Sequence, residues 1–110
     1  MSFKVVILKS AQYELKELRN YIVRKFSHDT WLMTSEKLQK ALKILETSPL
    51  LGAVPEEIEM LNLGPFRQIV SGMNRIIYET RQDVVFIHVI ADTRRNMTDL
   101  LTKRLLHSSQ

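Results

Sequence analysis

The 110-residue chain has no cysteine. Disulfides and thiolate metal sites are both excluded, which fits a reducing compartment. Glycine is nearly as scarce, with three residues, and Gly52 and Gly64 fall in one loop, so no glycine-rich phosphate cradle can be built. The three prolines, Pro49, Pro55 and Pro65, crowd into that same loop and leave the rest of the chain to regular elements. No apolar run approaches a membrane-spanning length, and the opening MSFKVVILKS is too short in apolar residues for a signal peptide. A soluble, cytoplasmic protein is the expectation. The histidines His28, His88 and His107 stand far apart without ligand spacing, so neither a metal nor a cofactor is expected.

What is present is an ordinary globular balance, 45% hydrophobic and 25% charged, at a length that suits one domain over residues 1–110. The net charge of +4 and a pI near 9.6 favour anionic or acidic partners. Its distribution is uneven. Residues 4–43 carry nine basic and four acidic side chains, residues 46–59 carry four glutamates and no basic residue, and residues 67–104 carry seven basic against four acidic.

Periodicity orders the chain. Phe3, Val5 and Ile7 alternate in a short strand over Phe3–Leu8. Ala11, Leu15, Leu18, Ile22 and Phe26 then recur at helical spacing, with Ser10 as N-cap, predicting an amphipathic helix over 11–26. After the break Ser27–Thr30, in which Asp29 offers a cap, Trp31, Leu38, Ala41, Leu42 and Leu45 mark a second helix that stops before Ser48-Pro49. Two long helices so joined form an antiparallel hairpin. Residues 49–65 read as a long loop with a short turn or strand around Ile58–Leu61.

Beyond the loop the period becomes two. Phe66–Ser71, Arg75–Thr80 and Val84–Ala91 read as strands joined by turns at Gly72–Asn74 and Arg81–Asp83. The last is apolar nearly throughout, so it belongs inside the sheet, where the first β run can pair with it in either sense. Asn96–Leu106 reads as a terminal helix with Met97, Leu101 and Leu105 on one side, and His107–Gln110 as a frayed tail. The order β, α, α, loop, β, β, β, α is an α+β fold, a helical hairpin on a small, mostly antiparallel sheet followed by a C-terminal helix.

The arginines carry the chemical interest. Arg67, Ile69 and Ser71 share one face of their strand, opposite Phe66, Gln68 and Val70. Arg75 opens the next strand and Arg94 and Arg95 follow the third, close enough to converge. Guanidinium forks suit phosphates or partner carboxylates, and the bland alternative is pairing with Asp92, Glu79 or the acidic loop. His88, set among apolar neighbours, reads as a hydrogen-bonded sheet histidine before it reads as a general base.

An ordered series of segments resembles the ParE/RelE superfamily of toxins from type II toxin–antitoxin modules. It comprises AQYELKEL at 11–18, Ser48-Pro49 with Gly52, Phe66-Arg67, NRIIYE at 74–79, and VVFIHVI at 84–90 closing on Thr93-Arg94-Arg95. The resemblance implies the RelE/ParE-like fold. Matched through these segments, Arg75 and Arg94 fall on two arginines of the RNA-cutting RelE type. The lysines of that type have no counterpart, since residues 66–71 offer only Arg67, and no tyrosine follows Tyr78 where Leu100 meets the expected position.

The resemblance is therefore closer to ParE. It implies a growth-arresting, plasmid-stabilising toxin that inhibits DNA gyrase by protein–protein binding, with Arg67, Arg75, Arg94 and Arg95 as the residues for toxicity and partner binding. It also implies a cognate antitoxin with an acidic C-terminal tail, through which alone operator DNA is reached. Two other readings stay open: a ribosome-dependent mRNA endoribonuclease of the RelE type using Arg75, Arg94 and His88, and an inactive relative that only binds antitoxin. RNA cleavage needs a proton acceptor beside its cations, and an arginine, always protonated, is poorly suited to that task.

Overall fold

The computed structural model of the chain describes residues 2–62 and 64–108. Strand β1 (Lys4–Ile7) runs into helix α1 (Lys9–Lys25), which a tight turn joins to α2 (His28–Leu45). Helix α1 begins a residue before the expected cap Ser10. Its N-cap is Leu8, with no side-chain cap. Leu8 donates its N–H to the Ile87 carbonyl at 3.1 Å and accepts from Gln12 N–H at 2.9 Å, so strand pairing hands the chain directly to the helix. At the second helix the cap is Ser27 in place of Asp29, its hydroxyl accepting from Thr30 N–H at 3.0 Å. Asp29 lies instead in the first turn, where a carboxylate suits the helix dipole.

Within the long loop the turn expected near Ile58 is helix α3 (Glu56–Leu61), closed by Asn62 in the left-handed region at φ 51°. Three strands follow, β2 (Arg67–Ser71), β3 (Asn74–Arg81) and β4 (Val84–Asp92), joined by two-residue turns in which Gly72 and Gln82 take positive φ. Helix α4 (Met97–Ser108) starts on Asn96, whose side-chain oxygen accepts from Asp99 N–H at 3.1 Å. Of the tail read as frayed, His107 and Ser108 continue this helix, while Ser109 and Gln110 lie outside the described residues.

The sheet order is β1-β4-β3-β2, mixed because β1 runs parallel to β4 while the other neighbours are antiparallel. The apolar β4 is thus an inner strand covered on both faces. On one face Ile76, Tyr78, Val85, Ile87 and Ile90 pack with Ala11, Leu38 and Leu45 of the hairpin. On the other, Ile77, Val89 and Ala91 pack with Ile58 of α3 and with Met97, Leu101 and Leu105 of α4. Phe26, placed by its spacing on the buried stripe of α1, is exposed beyond the helix end, its ring edge-on to Tyr21 at 6.3 Å.

A bulge in β4 divides the strand. Ile77 faces Val89 and Tyr78 faces Ile87, which leaves His88 as an extra residue. Since side chains alternate, one inserted residue swaps the faces beyond it: Val85 and Ile87 point to the hairpin before the bulge, Ile90 after it. Strand β1 pairs with Val84–Ile87, so from His88 onward the outer edge of β4 has no neighbouring strand among the described residues.

Candidate functional site

The four arginines singled out by sequence do not form one cluster. Arg67 faces the hairpin side with its partner Tyr78, and its Nη1 donates to the Gly52 carbonyl at 2.7 Å. Arg75 points to the opposite face. Both its terminal nitrogens donate to the Glu57 carboxylate of α3, at 3.0 and 2.9 Å, and its Nε donates to Gln68 Oε1 at 2.6 Å. That fork is largely buried, and its hydrogen bonds hold the Glu57 carboxyl below the usual range.

Arg94 stands at the end of β4 and is committed to Asp92. Its backbone N–H and Nε donate to Oδ1 at 2.8 and 2.9 Å, and Nη2 donates to Oδ2 at 3.0 Å. These bonds lower the Asp92 pKa and raise that of Arg94, whose side chain stays mostly exposed. The expected convergence of Arg75 with Arg94 and Arg95 is not seen. Arg94 lines the hairpin-side clefts, whereas Arg75 is drawn under α3, because alternation on β3 sends residue 75 to the face away from Asn74.

His88 is not beside these cations either. Its Nε2 meets Glu79 Oε1 at 2.8 Å, its ring stands edge-on to Phe66 at 5.0 Å, and it lines neither cleft. Burial depresses its pKa below 6.5 and outweighs the opposing pull of Glu79, with Arg81 and Arg104 adding to the depression. It is a hydrogen-bonded sheet histidine.

What the structure does assemble is a pair of clefts that share Leu18, Tyr21, Asn74, Asp92 and Arg94. One, of about 350 Å³, is largely apolar and runs under the hairpin turn between Ile22, Phe26 and Met73. The other, of about 930 Å³, follows the uncovered edge of β4 between α1 and α4 and carries Arg24, Arg94, Arg95 and Arg104. At its inner end Glu14 and Arg104 close the strand edge. Glu14 Oε1 accepts from Ile90 N–H at 3.0 Å, Arg104 Nη1 donates to the His88 carbonyl at 3.1 Å, and the two side chains pair at 3.0 Å. One acceptor and one donor thus meet the edge where a neighbouring strand would have met it. The arrangement offers hydrogen-bonding edge, apolar wall and positive charge, the ingredients of a protein-binding groove.

This arrangement meets a matching family. Residues 5–97 match the family described as the ParE toxin of type II toxin-antitoxin system, parDE. The chain belongs to the ParE toxin family. Solved structures agree in fold. A chain of the chromosomal ParDE TA system from P. aeruginosa superposes with a TM-score of 0.67 at 12% identity, covering 83% of this chain and 96% of that one. An arginine-to-alanine mutant of the E. coli toxin RelE in the free state gives 0.65 at 15% identity, covering both chains fully. Among curated sequences, 85 residues are 31% identical to part of the RNA-directed RNA polymerase L of Chandipura virus, and the chain spans only 4% of that protein.

On this ParE-family chain Glu14 and Arg104 join the site although neither is among the arginines singled out by sequence. The signal was there. Glu14 falls three residues after Ala11 and four before Leu18, on the apolar stripe of α1, and it is only 8% exposed. A carboxylate at such a position must find a partner, and Arg104, three residues after buried Leu101, supplies it from α4.

Proposed function

We propose that this ParE-family toxin arrests growth by occupying DNA gyrase, without breaking bonds, and that a cognate antitoxin with an acidic segment neutralises it. The observation that carries this choice of mechanism is the state of the guanidinium groups. Arg75 is clamped by Glu57 and Gln68, Arg94 is held by Asp92, and the candidate base His88 is hydrogen-bonded to Glu79 outside both clefts. Phosphodiester cleavage by 2′-hydroxyl attack needs a base and cations converging on one phosphate. Binding asks only for a surface, and the edge groove supplies one with an excess of positive charge suited to an acidic partner.

The test is a supercoiling assay with the purified chain beside an assay of mRNA integrity on induction. Loss of gyrase supercoiling with intact message is the expected result. Undiminished supercoiling at saturating toxin, with transcripts cut at codons, would move the chain to the RelE type of activity. Charge reversal at Arg94 and Arg95 reduces toxicity if the groove is the working surface, and unchanged arrest would show both arginines to be rim residues.

A further inference from the structure

The smaller cleft, under the hairpin turn, has an apolar roof and a polar floor. Leu18 and Ile22, one helical turn apart on α1, form the roof with Phe26 beyond them. The floor is the last row of the sheet on the hairpin face. Cross-strand partners share a face, so the apolar row Ile69, Ile76 and Ile90 is followed two residues on by Ser71, Asn74 and Asp92. Thr34 and Lys37 of α2 supply a side wall.

Two groups facing this cleft lack the partners their chemistry calls for. Asp92 on the floor is taken by Arg94, but Asn74, only 6% exposed, makes no side-chain hydrogen bond among the described residues. A buried amide ordinarily finds a partner, and this one offers a donor and an acceptor side by side. No side-chain nitrogen or oxygen among the described residues is fully shut off without a partner, so the Asn74 amide opens into the clefts it lines. Lys37 is the second group, exposed and in no ion pair among the described residues.

We propose that this cleft binds an adenine mononucleotide, its base under Leu18 and Ile22, its edge on the Asn74 amide and its phosphate on Lys37. The apolar roof suits a flat, weakly hydrated body. A primary amide makes a two-point pair with a ligand whose donor and acceptor lie on one side, as N6 and N7 of adenine do. The unpaired ammonium suits an anionic group on the same ligand. At about 350 Å³ the cleft falls within the range of small-ligand sites. Binding here is independent of the cellular target, so its failure leaves the gyrase reading untouched.

The test titrates the intact purified chain with AMP by calorimetry and follows the Asn74 side-chain amide by NMR. The expected result is saturable binding of one AMP per chain with a shift of the Asn74 amide resonances. Affinity should fall about tenfold or more for Asn74→Leu, and about threefold or more for Lys37→Gln and for adenosine in place of AMP. Lys37 is exposed, so Lys37→Gln keeps the fold, and a thermal melt shows whether Asn74→Leu does. If Asn74→Leu does not fold, Lys37→Gln and the amide resonances decide. No binding at millimolar AMP, equal affinity for GMP or for inorganic phosphate, or unmoved Asn74 resonances would each overturn the site. Binding of oligoadenylate with none of AMP would overturn it too, in favour of an RNA surface.

Discussion

Tyr78 shows how one side chain can position a loop. Its ring is fully buried between sheet and hairpin, and its hydroxyl accepts from Gly52 N–H at 2.9 Å. Burial raises its pKa, so it stays a neutral phenol. Gly52 is needed for this approach, since a Cβ there would stand 2.7 Å from the Tyr78 hydroxyl and closer still to the Gln68 carbonyl. Tyr78→Phe leaves a buried N–H without its acceptor and is expected to cost about 1–2 kcal/mol, a fall in Tm of roughly 5–10 °C in a thermal melt. Gly52→Ala costs more, because neither obstructing group can yield cheaply. His88 makes a second residue-scale prediction. Its folded pKa lies below 6.5, so under acid conditions the unfolded chain binds the extra proton. The stability tied to a neutral His88 is complete above about pH 6.5 and is lost as pH falls through the folded value. The urea midpoint should therefore drop between about pH 7.5 and about pH 5.5, and His88→Gln should flatten that slope. Glu57 and Asp92 do not confuse this window: their folded values lie below 4.5 and 3.8, so their contributions fade only in stronger acid.

At the scale of elements, the loop between the hairpin and the sheet is held by latches that the residues on either side provide. Helix α3 is six residues long, far below what is stable alone, and Arg75 grips it through Glu57 while Ile58 is buried beneath it. Glu57→Ala strips the fork from a largely buried guanidinium and should cost about 1–3 kcal/mol, with amide exchange accelerated first over Glu56–Leu61. Uniform acceleration across β3 and β4 would show instead that the pair stabilises the whole sheet. Such latches explain which parts of the fold were legible in sequence. The hairpin and the three-strand meander are written in local periods, 3.6 and then two, and in turn residues such as Gly72. The caps Ser27 and Asn96 are local as well, but Ser10 failed as a cap because pairing of Leu8 with Ile87 had already fixed where α1 starts. The bulge at His88 has no turn residue to announce it. It follows from fitting an apolar strand between two layers, the hairpin on one face and α3 with α4 on the other. The candidate site was legible only in part for the same reason. Arg94 could be placed at the end of a strand, but whether it met Arg75 depended on strand parity and on which carboxylates lay near, and Glu57 and Asp92 claimed one arginine each.

At the scale of the whole molecule, charge and shape act on the same face. The chain carries +4 overall, and while ion pairs occupy Arg75, Arg94 and Arg104, the exposed Arg24 and Arg95 at the edge groove make none among the described residues. Exposed apolar side chains lie nearby, Phe26 at 66% and Met73 at 56%, both walls of the adjoining cleft. An acidic partner would thus be drawn in by long-range attraction and retained by short-range burial, and the two contributions separate by salt. Screening shortens the reach of the field from about 14 Å at 50 mM salt to about 4 Å at 500 mM. The association rate of toxin with antitoxin should fall about tenfold or more over that range, while the dissociation rate, set by apolar contact and main-chain pairing, should change less than about threefold. Stopped-flow mixing of the purified pair gives both rates. Arg24→Glu/Arg95→Glu should lower the association rate at low salt toward the wild-type value at high salt. If the variant instead associates normally and dissociates faster, the two arginines act as contacts within the complex and not as a steering field. An association rate indifferent to salt in both proteins would mean that the net positive charge has no part in recognition.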